Sequence, residues 1–439
     1  MTKYLKIFIA FLFVALTVTA SAQNTANTSS PYSQYGIGDI ESQLTPQSAG
    51  MGGIGVATNI VSGFGSINFL NPASYATTNL TVIDVGLFSN NTKLSRTGQG
   101  TQSSSNFRLN HLAFAVPITK KSAISFGFLP YSSVGYNFRQ SSANFGTGLP
   151  ADTNSVNFTY EGEGGLTKAY IGYGFGIGNL LLGANVSYLF GNIRNYRSTE
   201  IPDLYGAQYT REERNLSVSG FNFDLGAQYM INIGEKNRLI LGYSGSLNSK
   251  LNSQQDRFIS HYINDSEGSP LPLDSLVNEE GPKSKLQLPL INRFGFSFKA
   301  GDRWLIGADY STGKWSDLTI AGANQGLKNS QSINVGAQIT PNVNKLSNYL
   351  ALVDYRVGFI YNQTYLNRNN TDITQYAATF GLGLPLRPSV TNTSFYKINI
   401  SAEIGKRGTL QNSLVKENFI NIRLGFTVND KWFTRYRFD

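Results

Sequence analysis

The feature that most limits this chain is a series of segments, each near ten residues long, in which apolar and polar side chains alternate strictly. In "LLLGANVSYLF", Leu180, Leu182, Ala184, Val186, Tyr188 and Phe190 share one face and Gly183, Asn185 and Ser187 the other. "FNFDLGAQYMI" sets Phe221, Phe223, Leu225, Ala227, Tyr229 and Ile231 against Asn222, Asp224, Gly226 and Gln228. "YKINISAEI" and "FINIRLGFTV" repeat the pattern, with Glu403 and Arg423 on their polar faces. A tilted strand needs about 9–11 residues to cross a bilayer, whereas soluble strands average about five or six. One lipid face, one polar face and this length specify an all-β transmembrane antiparallel barrel.

About fourteen such segments occur between residues 81 and 428, an even number as expected of a single-chain outer-membrane barrel. Short turns at 118–121, 176–179, 235–238 and 300–303 alternate with long polar stretches near 90–105, 137–154, 194–214 and 251–285. That asymmetry assigns the short turns to the periplasm and the long loops to the outside, and it weakens toward the C-terminal quarter. Composition agrees: charged residues are 14%, against about 25% in soluble domains, while aromatics reach 13% and there are 45 glycines. There is no cysteine, so an exported fold forms without disulfides. Lys and Arg form no stripe despite the net charge of +9, which argues against nucleic acid as a partner.

Residues 1–22 read as a signal peptide: Lys3 and Lys6, an apolar run, then Ala20-Ser21-Ala22 as the cleavage site. Its removal takes the net charge from +9 to +7 and predicts an exported protein of the cell outer membrane. Residues 23–80 lack sustained alternation and are rich in glycine, serine and asparagine, which predicts an N-terminal plug folded into the lumen. Within them Gly50, Gly52 and Gly55 match G-x-G-x-x-G, but no buried strand precedes the match and no acid follows at about twenty residues. These glycines, with Gly53, are therefore expected to permit close packing of a plug rather than to hold a dinucleotide. Residues 429–439 form a basic-aromatic tail.

"PYSQYGIGD" (31–39), "GMGGIGVA" (50–57), "LNPASYA" (70–76), "GGLTKAYIGYGFGIG" (164–178) and "GANVSYLFG" (183–191) resemble a divergent branch of the FadL/TodX family of outer-membrane hydrophobic-compound channels. The resemblance implies an N-terminal hatch that includes Gly50–Ala57 and Asn71, Pro72 and Ala73, capture of a small hydrophobic ligand and lateral release into the membrane. It also implies an inward strand kink as the gate, for which Gly162, Gly164 and Gly165 are candidates. The chain departs from the family at its end, where Phe438 is followed by Asp439.

Inward positions carry Asp224, Arg293, Lys299, Asp309, Asp354, Arg356, Glu403 and Arg423. They are expected to form ion pairs that fill the lumen, with Arg293, Arg356 and Arg423 the candidates for meeting a ligand headgroup. Enzymatic chemistry has little support, because His111 and His261 are the sole histidines and neither gathers a nucleophile, an orienting group or a zinc ligand set. "STGK" (311–314) lacks the earlier P-loop glycine, having Ala308, and has Trp315 where magnesium requires a hydroxyl. No cofactor is expected. Two functions fit: passive uptake of fatty-acid-like compounds, or a non-transporting barrel that serves as a subunit of an outer-membrane secretion, shuttling or assembly complex. The polar outer loops and the basic tail favour the second, and the plug favours the first.

Overall fold

In the computed structural model, which describes residues 28–59, 65–143, 154–202, 207–265, 270–342, 348–386 and 394–432, fourteen strands close into an antiparallel barrel. They are β1 Thr81–Arg96, β2 Gln102–Thr119, β3 Ser122–Ser142, β4 Val156–Ile177, β5 Leu180–Glu200, β6 Tyr209–Ile233 and β7 Asn237–Ser246. The series continues with β8 Ile291–Ala300, β9 Trp304–Gly313, β10 Ser330–Ile339, β11 Asp354–Arg368, β12 Thr371–Leu386, β13 Phe395–Gly408 and β14 Val415–Asp430. Each strand pairs with its sequence neighbours, and β1 closes on β14 from Thr81↔Asp430 to Arg96↔Val415. The alternation decides which side chains meet lipid: Phe221, Phe223, Leu225 and Tyr229 are exposed, while Asn222 and Gln228 are buried. Residues 1–22, expected as a signal peptide, and all of the expected tail but its first residues lie outside the described residues.

The stretches expected as long outer loops are mostly strand. β3, β5 and β6 run 21, 21 and 25 residues, and Lys250–Asn264 with Pro270–Glu279 forms a hairpin arm paired to the outer half of β6. Beyond the lipid, both strand faces are polar, so the ladder continues while the sequence alternation that reveals it disappears. The loop asymmetry reverses late in the chain, as its weakening implied. Asn369 and Asn370, both at positive φ, make a tight outer turn, while residues 340–353 on the periplasmic side carry a short helix, Tyr349–Leu352.

The N-terminal segment lies inside the barrel. It begins level with the outer strand ends, where Ser30 Oγ donates to Glu417 (2.6 Å) and Tyr32 Oη to the Val415 carbonyl (2.6 Å). It descends, makes the helical turn Pro46–Gly50 capped by Thr45, and ends in the 3₁₀ turn Pro72–Thr77 before β1. At this lower level the wall presents glycines. A Cβ on Gly174, Gly183, Gly226, Gly242, Gly336, Gly358, Gly381 or Gly425 would come closer than 3.0 Å to a plug atom. In that sequence the plug partners are Pro72, Pro72, Asn71, Val56, Met51, Gly52, Gly50 and Pro46, so the plug follows the inner circumference against bare backbone. Gly52 and Gly53 turn the loop at φ +67° and +77°, conformations that side chains disfavour.

The outer half of the lumen holds a hydrophobic core. Tyr32 and Ile37 of the plug, Leu166 and Leu189 of the wall, and Trp315 and Leu318 of the β9–β10 connection are all buried in it. Gly336→Val, which drives a side chain into the Met51 backbone, is expected to destabilise the folded barrel by about 1–3 kcal/mol. A lowered thermal transition, followed by heat-modifiable gel migration, is the readout.

Candidate functional site

Beside the outer core and above the lower plug is a cavity of about 360 Å³ lined by both charged and apolar side chains. Most of its ionic groups are paired. Lys168 Nζ meets Asp224 at 2.7 Å, Arg423 meets Glu403 at 2.9 Å, and Arg407 lies 2.8 Å from Asp39 and 3.9 Å from Glu417. The Arg108 and Arg423 guanidiniums stand 4.6 and 4.7 Å from the centre of the Phe88 ring. Such pairing is what makes buried charge tolerable, since an ion that loses its partner costs about 3–5 kcal/mol.

The expected lumen residues divide by role. Asp309 accepts from the Gly55 and Val56 amides at 2.7 and 2.9 Å, so the wall's own carboxylate fills the amide cradle that a G-x-G-x-x-G loop would offer an anion. Asp354 binds Arg356 (2.6 Å), Lys397 (2.5 Å) and Thr340 Oγ1 (2.7 Å). Arg356 also donates to Gln338 and Asn399 and is fully buried beneath Gly50 and Gly381, away from the cavity. Lys299 pairs with Asp302 at the periplasmic turn. Arg293 lines the cavity and makes no hydrogen bond or ion pair among the described residues. Thus of the three candidate headgroup arginines, only Arg293 faces open space without a partner. Lys168, Arg108, Arg407, Glu41 and Glu417 were not anticipated, although strand parity puts Lys168 on the inward face of β4.

The plug's irregular backbone is satisfied by wall side chains. Thr379 Oγ1 accepts from Gly52 N (2.8 Å) and donates to the Gly50 carbonyl (3.1 Å), and Asn334 donates to the Gly52 carbonyl. Ser297 donates to Ala57 O (2.6 Å), and Gln228 to Val56 O (3.0 Å) and Thr58 O (3.1 Å). Asn71 donates outward to the Ala227 and Tyr243 carbonyls, both at 3.2 Å, and caps Ala73 N through its Oδ1 (3.0 Å). Pro72 and Ala73 pack with it against β5 and β6.

β4 stays paired to β3 and β5 throughout Gly162–Gly165, although Gly164 takes φ +101°. The wall parts elsewhere. β2 and β3 pair only over Leu112–Thr119 and Ser122–Phe128, then diverge while each keeps its other neighbour. Three local features end the pairing: an extra residue in β2 at Asn110, an extra residue in β3 at Tyr131, and Pro130, which has no N–H to give. The plug fills this seam. Asp39 and Ile40 pair with Ser133 and Ser132, and Glu41 N donates to Tyr131 O (3.0 Å). The Glu41 carboxylate joins the two lips, accepting from Ser133 of β3 (2.7 Å) and Arg108 of β2 (2.5 Å).

The BamG family model matches residues 1–439. Among solved structures, the Pseudomonas putida toluene transporter TodX is similar at TM-score 0.58 and 13% identity, over 89% of this chain and 99% of that one. A Pseudomonas aeruginosa FadL homologue aligns at TM-score 0.57 and 12% identity, over 91% of this chain and 100% of the other. The CymD monoaromatic hydrocarbon channel gives 0.54 and 14%, over 90% and 99%. No curated protein matches in sequence. At these identities the structural likeness establishes the fold, a FadL-like outer-membrane barrel.

Asp309→Ala is expected to leave two buried amides without an acceptor, at about 1–3 kcal/mol each, and hydrogen exchange at Gly55 and Val56 should accelerate accordingly. A double-mutant cycle between Glu41→Ala and Arg108→Ala should return a coupling of about 0.5–3 kcal/mol in thermal or denaturant transitions.

Proposed function

We propose, on the premise that the chain belongs to the BamG family, that this FadL-like barrel serves as a fixed subunit of an outer-membrane complex of the secretion, shuttling or assembly type. The observation that carries this reading is the filled lumen: an apolar core in its outer half and a plug hydrogen-bonded to the wall below, with charged pairs beside them. A hydrophobic molecule on that path would displace water from ionic groups without replacing its hydrogen bonds, which is unfavourable. The barrel then acts as a rigid anchor, exported with cleavage after Ala22, and its projecting outer strands carry the contacts.

A second reading, uptake of a small hydrophobic compound, is favoured by the β2–β3 seam, through which the cavity and the unpartnered Arg293 would communicate with the membrane. In it, residues 50–57 and 71–73 are the hatch, the Glu41–Arg108 pair is the latch, and Arg293 receives an acidic headgroup.

Native mass spectrometry of the protein gently extracted from its own outer membrane separates the two. The complex-subunit reading expects other outer-membrane or surface chains bound in fixed ratio, with no lipophile. A stoichiometric fatty acid or similar molecule on an otherwise solitary chain would overturn it in favour of uptake.

A further inference from the structure

We infer that the outer hairpin arm, Lys250–Asn264 with Pro270–Glu279, is the docking surface for a second surface protein whose contact face is apolar and basic; this rests on the complex-subunit reading. The arm is held along one strand and at its base, where Ser284–Gln287 pairs with Lys250, Leu251, Asn252 and Ser253. Lys250–Asn264 pairs with the outer half of β6, from Tyr209↔Tyr262 to Ser219↔Asn252, and Pro270–Glu279 pairs among the described strands with Lys250–Asn264 alone. It therefore stands beyond the lipid band, on the extension of a strand far longer than a bilayer requires.

Apolar side chains along the arm meet water. Leu271, Leu273 and Leu276 are 48%, 49% and 52% exposed, and Ile263, the cross-strand partner of Leu271, is 39% exposed. In the barrel wall such exposure is answered by acyl chains. Here it is not, and a cluster of large aliphatic residues on a soluble projection marks a protein-contact surface.

The free edge itself is a poor template for strand addition. Pro270 and Pro272 lack an N–H, and register shifts fall at Leu273 and Leu276, so the hydrogen-bonding repeat is broken. The same bulges re-aim Leu273 and Leu276 from the regular alternation. Recognition thus falls to side chains rather than to backbone.

Charge identifies the partner. The edge strand that carries the leucines bears Asp274 and Glu279 and no cation, and Glu280 follows it. Of the nearby cations, Arg257 is already held by Glu212 at 2.7 Å and His261 by Asp274 at 3.1 Å, while Lys250 and Lys285, which donates to Asn252 at 2.6 Å, lie at the base of the arm and Lys283 stands past the end of the edge strand. An acidic rim around an apolar patch selects a face carrying Lys or Arg and repels both a second copy of this arm and an anionic lipid surface.

The test compares full-length wild type with two variants, Leu271→Ser/Leu273→Ser/Leu276→Ser and Asp274→Asn/Glu279→Gln/Glu280→Gln. Each is extracted gently and weighed by native mass spectrometry, with heat-modifiable gel migration confirming a folded barrel. The expected result is loss of one bound chain from the leucine variant, and loss of that same chain at lower salt from the acid-neutralised variant than from wild type. If the folded leucine variant keeps every chain in the wild-type ratio, the arm is not the docking surface, although the complex-subunit reading stands. A wild type that carries no other chain overturns both readings, and an arm-dependent homodimer or arm-dependent lipid binding overturns the inference alone.

Discussion

The organising constraint is that an irregular segment has been placed where water is scarce, so every peptide group along it needs a partner. Regular secondary structure would have met that need internally, but the described residues of the plug hold one short helical turn, two 3₁₀ turns and the two-residue strand Asp39–Ile40. The wall supplies the partners instead. At one level around the circumference it alternates glycines, which let the plug backbone approach, with Asp309, Thr379, Asn334, Ser297 and Gln228, which bond to it. Each bond contributes about 0.5–1.5 kcal/mol net, so the sum rather than any single contact holds the segment. The inward pattern of this barrel is thus a template for one particular chain path.

Electrostatics follows from the same confinement. Inward positions must be polar because the outward ones are committed to lipid, and polar positions in a closed lumen end up as matched pairs. Asp354 and Arg356 leave little unmet charge, and Glu41 is shared between the two lips of the seam. Arg293 is the departure from this economy, a cation facing the cavity with carboxylates near but not on it.

Much of this was legible in the sequence because lipid imposes a demand at every second residue. The fourteen spanning strands and the inward placement of Asp224, Asp309, Glu403 and Arg423 follow from alternation alone. The partners do not, because Asp309 serves Gly55 across 254 positions and Glu417 serves Ser30 across 387. The outer ends of β3, β5 and β6 read as loops because water tolerates polar residues on both faces and so erases the period. The seam left one visible trace, Pro130 within a strand, but its meaning depends on bulges in two strands at once. Arg356 shows the limit of parity: facing inward does not mean facing the cavity.

Plug and wall interlock in a way that bears on how the molecule can be made. The N-terminal segment touches the outer end of β14 through Glu417 and Val415, touches the same strand again at Gly425 through Pro46, and from Gly50 to Pro72 lies against strands from β12 round to β4. Ser30 and Tyr32 therefore find partners on the last strand of the barrel, and the ring closes where β1 meets β14. The full set of plug contacts exists only when that ring is complete. Contacts of such sequence separation form slowly. Once they are made, the closed ring surrounds the segment, so its retention is as much a matter of topology as of affinity.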